Sequence, residues 1–162
     1  MGNKIGITDE GILRNIEYKL TNFKHKLIDE SYLFNEETIF SLKYLEKLHI
    51  FLFSDIYEED DCKIRDSISE LTRKKLQMLL DKIKALTYDM NKDELANCIY
   101  DIWKEQIFLD GNTRTLRAFL KVYCYGYNIH IDHNFDEDIL DDYFIPRLME
   151  EIVGKKDNIV VK

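Results

Sequence analysis

One proline and six glycines are all the strong backbone punctuation this chain of 162 residues possesses. With so few interruptions, apolar residues recur at helical spacing almost throughout, and neither an internal repeat nor a low-complexity stretch is present. Cysteine is scarce too: Cys62, Cys98 and Cys124 are odd in number and far apart. They suit neither a disulfide framework nor a Cys-pair zinc site, which points to a reducing compartment. No apolar run approaches the roughly 18 residues needed to cross a bilayer, and Met1–Thr8 lacks the charged-then-apolar pattern of a signal peptide. Gly6 stands where a myristoylation signal needs Ser or Thr. The expectation is a soluble, cytoplasmic protein with no membrane partner.

Basic excess is also missing. The formal net charge is −8, and the short run Arg73-Lys74-Lys75 shares its neighbourhood with Glu70 and Asp81. A nucleic-acid backbone would be repelled on average, so no nucleic-acid partner is expected. Small anions are not excluded, because local arginines and a helix N-terminus hold a phosphate whatever the remote surface carries.

What is present is a composition of 45% hydrophobic and 33% charged residues, enough for one continuous core and one domain over residues 1–162. The fold class expected is all-α, a bundle of about six helices. Ile12, Leu13, Ile16, Leu20, Phe23 and Leu27 predict the buried face of a first helix over about residues 9–29, started by Thr8 or Asp9, with His25 facing solvent between Lys24 and Lys26. Further helices are predicted over about 36–53, 69–86, 92–106 and 113–124, the last stopped by Gly126. A final helix over 136–153 would be kinked or split by Pro146, and 154–162 reads as a polar tail.

Between the fourth and fifth helices stands Gln106-Ile107-Phe108-Leu109-Asp110-Gly111-Asn112-Thr113-Arg114-Thr115-Leu116-Arg117. Gly111 permits a turn that a residue with a Cβ resists, and the N–H groups from Asn112 onward open a helix without intrahelical partners. Those donors and the helix dipole converge on one point, an anion site. Arg114 and Arg117, three apart, project from nearly the same face near its positive end. Asp110 would repel the anion unless a divalent cation such as Mg²⁺ joins them. Phe108 is expected to plug into the core. Asp-Gly-Asn is also ordinary turn chemistry, and arginines three apart are often plain surface; the coincidence of all these features between two apolar helices favours the anion site.

The run resembles the loop of the Fic (Fido) family: His-Pro-Phe, any residue, Asp or Glu, Gly, Asn, Gly or a substitute, Arg, two residues, Arg. Phe108, Asp110, Gly111, Asn112, Arg114 and Arg117 match, and Thr113 is a familiar substitute. Upstream, Leu48–Tyr57 is similar to the family's His-x-x-Leu-Phe-x-x-Ile-Tyr helix end, and Lys63-Ile64-Arg65 to the segment that follows it. The resemblance covers about residues 36–125, flanked by an N-terminal helix in 1–35 and C-terminal helices in 126–153. It implies a Fic-type helical fold and transfer of AMP from ATP to a protein hydroxyl. It implies Mg²⁺ on Asp110, the α-phosphate facing Asn112, phosphates on the N–H groups of Gly111 and Thr113, and β- and γ-phosphate charge met by Arg114 and Arg117.

The pattern breaks at its base. Gln106 occupies the slot of the family's catalytic histidine, and an amide does not take a proton at neutral pH. Loss of general-base catalysis removes about 10²–10⁴-fold in rate while leaving phosphate binding in place. Among the other histidines, His49 reads as a packing residue, and His130 and His133 have only Asp132 nearby as a further ligand. Asp66–Thr72 is too short for the β-hairpin flap that docks target peptides in the family. Of the family's inhibitory helix, Glu10-Gly11 is the nearest trace, with Gly6 where Ser or Thr belongs, so autoinhibition is not expected. Two readings follow: a transferase of reduced or altered activity that uses ATP or another nucleotide on a protein target, and an inactive module that binds a nucleotide or a regulatory partner.

Overall fold

The computed structural model describes residues 2–140 and 142–149. Six α-helices run through them: α1 (Glu10–Lys26), α2 (Glu30–Leu33), α3 (Leu42–Phe53), α4 (Glu70–Leu86), α5 (Lys92–Lys104) and α6 (Asn112–Gly126), with a 3₁₀ turn at Glu59–Cys62. Residues 144–149 are helical as well, and no strand occurs among the described residues. The protein is all-α.

Capping explains most helix starts. The side chains of Asp9, Asp29, Ser41, Ser69 and Asn91 accept backbone N–H bonds in the first turns of α1 to α5, replacing partners the helix itself cannot provide. Helix α6 differs: it begins at Gly111 in left-handed conformation, and no side chain caps it.

Helix α6 is the centre of the bundle. Every residue from Asn112 to Cys124 is buried, and the helix packs against α2, α3 and α5, while α1 lies on α3 and α4 on α5. Its buried set includes Arg114, Arg117 and Lys121, which no apolar neighbour could satisfy. Partners come from α1 and from the segment after Gly126. Lys121 Nζ donates to the His25 carbonyl at 2.8 Å, and Arg114 meets Glu17. Arg117 is bound by carbonyls of residues 135 and 137.

That requirement rotates α1 relative to the sequence expectation, although Leu13 and Leu20 of the expected face do pack against the core. Its buried residues are Glu17, Tyr18, Thr21, Asn22 and His25, whereas Ile12, Phe23 and Leu27 are more than half exposed. His25, expected in solvent, is 3% exposed, stacked on Phe135. Periodicity located the apolar stripe correctly, but the charges of α6 decided which side of α1 faces inward.

Other differences are local. The segment 36–41 is not helical and α3 begins only at Leu42, after the short α2. Gly126 ends α6 as its last residue; a Cβ there would lie 2.0 Å from the Phe34 ring, so close approach requires the glycine. Asp136 to Leu140 are not helical, and Pro146 sits in the first turn of 144–149, where its missing N–H has no intrahelical bond to lose. The predicted helix end at 153 and the tail 154–162 fall outside the described residues.

Candidate functional site

Loop 105–112 is held from below by aromatic packing. Phe108 is buried and lies flat on His49, ring centroids 4.0 Å apart, and His49 stacks on Phe53 at 4.5 Å. The Arg114 guanidinium covers the Phe53 ring at 4.7 Å and the Tyr18 ring at 4.6 Å. Planar groups from α1, α3, α6 and the loop thus form one column: Tyr18, Arg114, Phe53, His49, Phe108.

His49 also ties the loop's backbone. Its Nε2 is 2.8 Å from the Asp110 carbonyl oxygen and its Nδ1 is 2.7 Å from that of Cys62. Burial, reinforced by the Arg114 charge, outweighs those carbonyls and pulls its pKa down to about 4. It is therefore neutral at pH 7 and donates to one carbonyl only. It packs behind the loop and does not line the pocket described next.

Gly111 has φ +78°, and a Cβ there would fall 2.2 Å from the Phe53 ring. Glycine is required by conformation and by space together. On either side of it, Asp110 accepts the Gly111 N–H through Oδ1 at 2.8 Å, and Asn112 closes the loop. Asn112 Oδ1 accepts from the Phe108 N–H and its Nδ2 donates to the Phe108 carbonyl, both at 2.9 Å. Its Nδ2 also reaches Gln106 Oε1 at 3.2 Å.

Gln106 follows the end of α5 with φ +46°. Its Nε2 donates to the Trp103 carbonyl at 2.8 Å, so both ends of the amide are engaged and the side chain braces Asn112. A pocket of about 330 Å³ opens here, lined by Trp103, Gln106, Asp110, Gly111, Asn112, Thr113, Asp142 and Tyr143. The uncapped start of α6 faces it. The structure thus brings Gln106, Asp110, Gly111, Asn112 and Thr113 around one cavity.

Arg114 and Arg117 are not among the residues lining it. Arg114 Nη2 is 2.7 Å from Glu17 Oε1, with both side chains almost wholly buried, and 3.7 Å from Asp110 Oδ1. Glu17 Oε2 in turn accepts from the Tyr57 hydroxyl. Arg117 donates through Nη2 to the Phe135 carbonyl at 2.9 Å and the Glu137 carbonyl at 2.6 Å, and through Nε to His133 Nε2 at 3.1 Å. Burial lowers its pKa to about 10, leaving it cationic at neutral pH. It fixes the segment after α6.

That segment reaches the pocket mouth. Thr113 Oγ1 accepts from Trp103 Nε1 at 2.9 Å and donates to the Asp142 carbonyl. The Asp142 carboxylate is gripped by Tyr18, at 2.6 Å, and by Arg14. Sequence reading did not single out Trp103, Asp142, Tyr143 or Glu17 for the site. Trp103, three residues before Gln106 on the helix leading into the loop, was within reach of spacing arguments. The others come from segments remote in sequence, with no local signal.

At the flap position, residues 66–68 form a turn with no strand. Arg65 N–H donates to the Ile107 carbonyl at 2.9 Å, so this short connection braces the loop from the other side.

Compared with known families, residues 39–124 match the Fic/DOC family. That span is more than half of the chain and takes in α3 to α5, the loop and α6 as far as Cys124. Among curated proteins none matches.

Proposed function

The chain belongs to the Fic/DOC family, and from that premise we propose that it binds the phosphates of a nucleotide, ATP as Mg²⁺–ATP in the first instance, at the start of α6. We further propose that it moves AMP to a protein hydroxyl slowly or not at all. The observation that carries the reading is the uncapped N-terminus of α6 opening on a polar pocket beside Asp110. Unpartnered N–H groups and the helix dipole favour an anion there. The donor set fits Mg²⁺: the Asp110 side chain is half exposed, and a single carboxylate with phosphate oxygens and waters is a usual magnesium environment. When bound, Mg²⁺ would neutralise phosphate charge. Asn112 and Thr113, in the uncapped first turn of α6, would present backbone donors, the Gly111 N–H being held by Asp110 Oδ1, and Trp103 would form an apolar wall.

The inactive reading draws support from Gln106. Its amide is used at both ends, by Trp103 and Asn112, and no histidine lines the pocket. Arg114 and Arg117, engaged with Glu17 and with backbone carbonyls, support the phosphate site from behind through their charge. Binding therefore stands ahead of transfer. The protein would serve as a nucleotide-holding or partner-holding module, with a protein target or regulatory partner as the second component.

Titration calorimetry of the full chain with ATP tests this, with and without Mg²⁺. Saturable heat that needs Mg²⁺ and is lost in Asp110→Ala is expected. Absence of heat under both conditions would remove the phosphate site from consideration.

A further inference from the structure

We propose that the outward face of α1 is a docking surface for an acidic amphipathic helix of another protein. The inner side of the helix is mostly polar, and although Leu13 and Leu20 pack against the core, part of its apolar side remains in solvent. Ile12, Phe23 and Leu27 are 53%, 57% and 55% exposed, and Ile16 between them is only partly covered. At steps of four, seven and four these residues form one stripe ~22 Å long. An apolar helix face of that length left in water marks an interaction surface, and its geometry is that of a helix-on-helix contact with anchors at three- and four-residue steps.

Charge decides the occupant. The residues bordering the stripe at helical spacing are Lys19 and Lys26 on one edge and Lys24 on the other, on a chain whose formal net charge is −8. Lys26 pairs with Asp138 at the surface, a contact weak enough to be exchanged for a partner's carboxylate, whereas Lys24, mostly covered, holds Asp55 and lies over the Phe51 ring. A second copy pairing through the same face would set lysine edges against each other. An anionic membrane would attract the lysines but repel the rest of the chain. An acidic helix satisfies the stripe and its borders together. The docked partner would sit on the helix whose inner face holds Arg114 through Glu17 and Asp142 through Tyr18.

The test uses the full chain and a helix-stabilised 18-residue peptide with leucine at three- and four-residue steps and glutamate at the flanking positions. A twin peptide carries lysine in place of glutamate. Fluorescence anisotropy should show saturable binding of the acidic peptide only, weakened by salt. The affinity should fall at least about tenfold in a Phe23→Ser, Leu27→Ser variant and clearly in a Lys19→Glu, Lys26→Glu variant. All four side chains are exposed, and unchanged circular dichroism melts verify that both variants fold. No binding of the acidic peptide overturns the proposal, as does equal binding of both peptides or by all variants. It is also overturned if sedimentation shows a wild-type dimer lost in the Phe23→Ser, Leu27→Ser variant, or if acidic vesicles bind the chain and the acidic peptide does not.

Discussion

Glu17 and Arg114 face each other 2.7 Å apart, their side chains 5% and 7% exposed, and this contact joins α1 to the first turn of α6. Removing one member of a buried pair strands the other charge, which costs about 3–5 kcal/mol. Glu17→Ala should therefore lower the urea midpoint strongly. It also leaves the Arg114 charge unopposed behind the pocket, apart from Asp110. In Glu17→Gln, which keeps the shape, ATP–Mg²⁺ should bind about tenfold more tightly, equivalent to ~1.4 kcal/mol. Calorimetry at fixed salt reads this directly; unchanged or weaker binding would mean that Arg114 has no influence on the pocket.

Gly111→Ala should destabilise the chain by about 2–4 kcal/mol, from the left-handed conformation and the collision with Phe53. The ring it displaces lies against Arg114 and His49, so the disturbance enters the planar column. Denaturant melts check the size of the effect. Gly11→Ala is the control: its φ is not in the left-handed region and its nearest neighbour is the Asp9 side chain at 3.4 Å. That change should be near neutral or slightly stabilising.

How far the sequence could be read depended on whether a residue's role is set locally. Gly111 announced its turn because conformation is a property of the residue itself. Helices α4 and α5 declared themselves by spacing and by the caps Ser69 and Asn91. Helix α1 lies where spacing puts it, but only part of its apolar face, Leu13 and Leu20, packs inward, because its orientation is fixed by cations ~100 residues further along the chain. Its stripe alone cannot say whether core or solvent lies beside it. Arg114 and Arg117 show the same limit. Three-residue spacing places them near one another on α6, but Glu17 and the carbonyls of 135 and 137 determine where the guanidinium groups go. The pocket walls at Asp142 and Tyr143 arise only when the chain folds back.

Two buried histidines make stability depend on pH. Burial pulls His25 down to about 2, with Arg117, Lys121 and His133 opposing its protonation, and His49 down to about 4, with Arg114 opposing and Asp110 favouring it. In the unfolded chain both protonate near pH 6.5. Their folded pKa values are depressed, so the stability they contribute is full above 6.5 and is lost as pH falls. Each adds a slope of about 1.4 kcal/mol per pH unit. Between pH 6 and 5 the urea midpoint should drop with a slope equivalent to nearly two protons, and His49→Gln should remove about one. The loss from His49 ends near pH 4, while that from His25 continues below it. A flat profile from pH 7 to 5 would contradict the buried neutral state of both rings.

Gln106→His tests whether a missing proton acceptor is what limits transfer. Histidine tolerates the left-handed backbone at this position better than most residues, and the Gln106 side chain is exposed at the pocket. Asn112 Nδ2 keeps its bond to the Phe108 carbonyl when the Oε1 contact is lost, so stability should stay within about 1 kcal/mol and the ring's acceptor nitrogen is left to take a proton. With α-labelled ATP and Mg²⁺, label on the chain itself or on lysate proteins should rise by about 10²–10⁴-fold over the native protein. Asn112→Ala in the same background should remove it, because Asn112 holds the loop closed through Phe108. Equal labelling by Gln106→His and the native chain would mean that the glutamine is not what limits the reaction. Absence of label from both, with ATP still bound, would place the protein among nucleotide-holding modules and move its activity to the partner it engages.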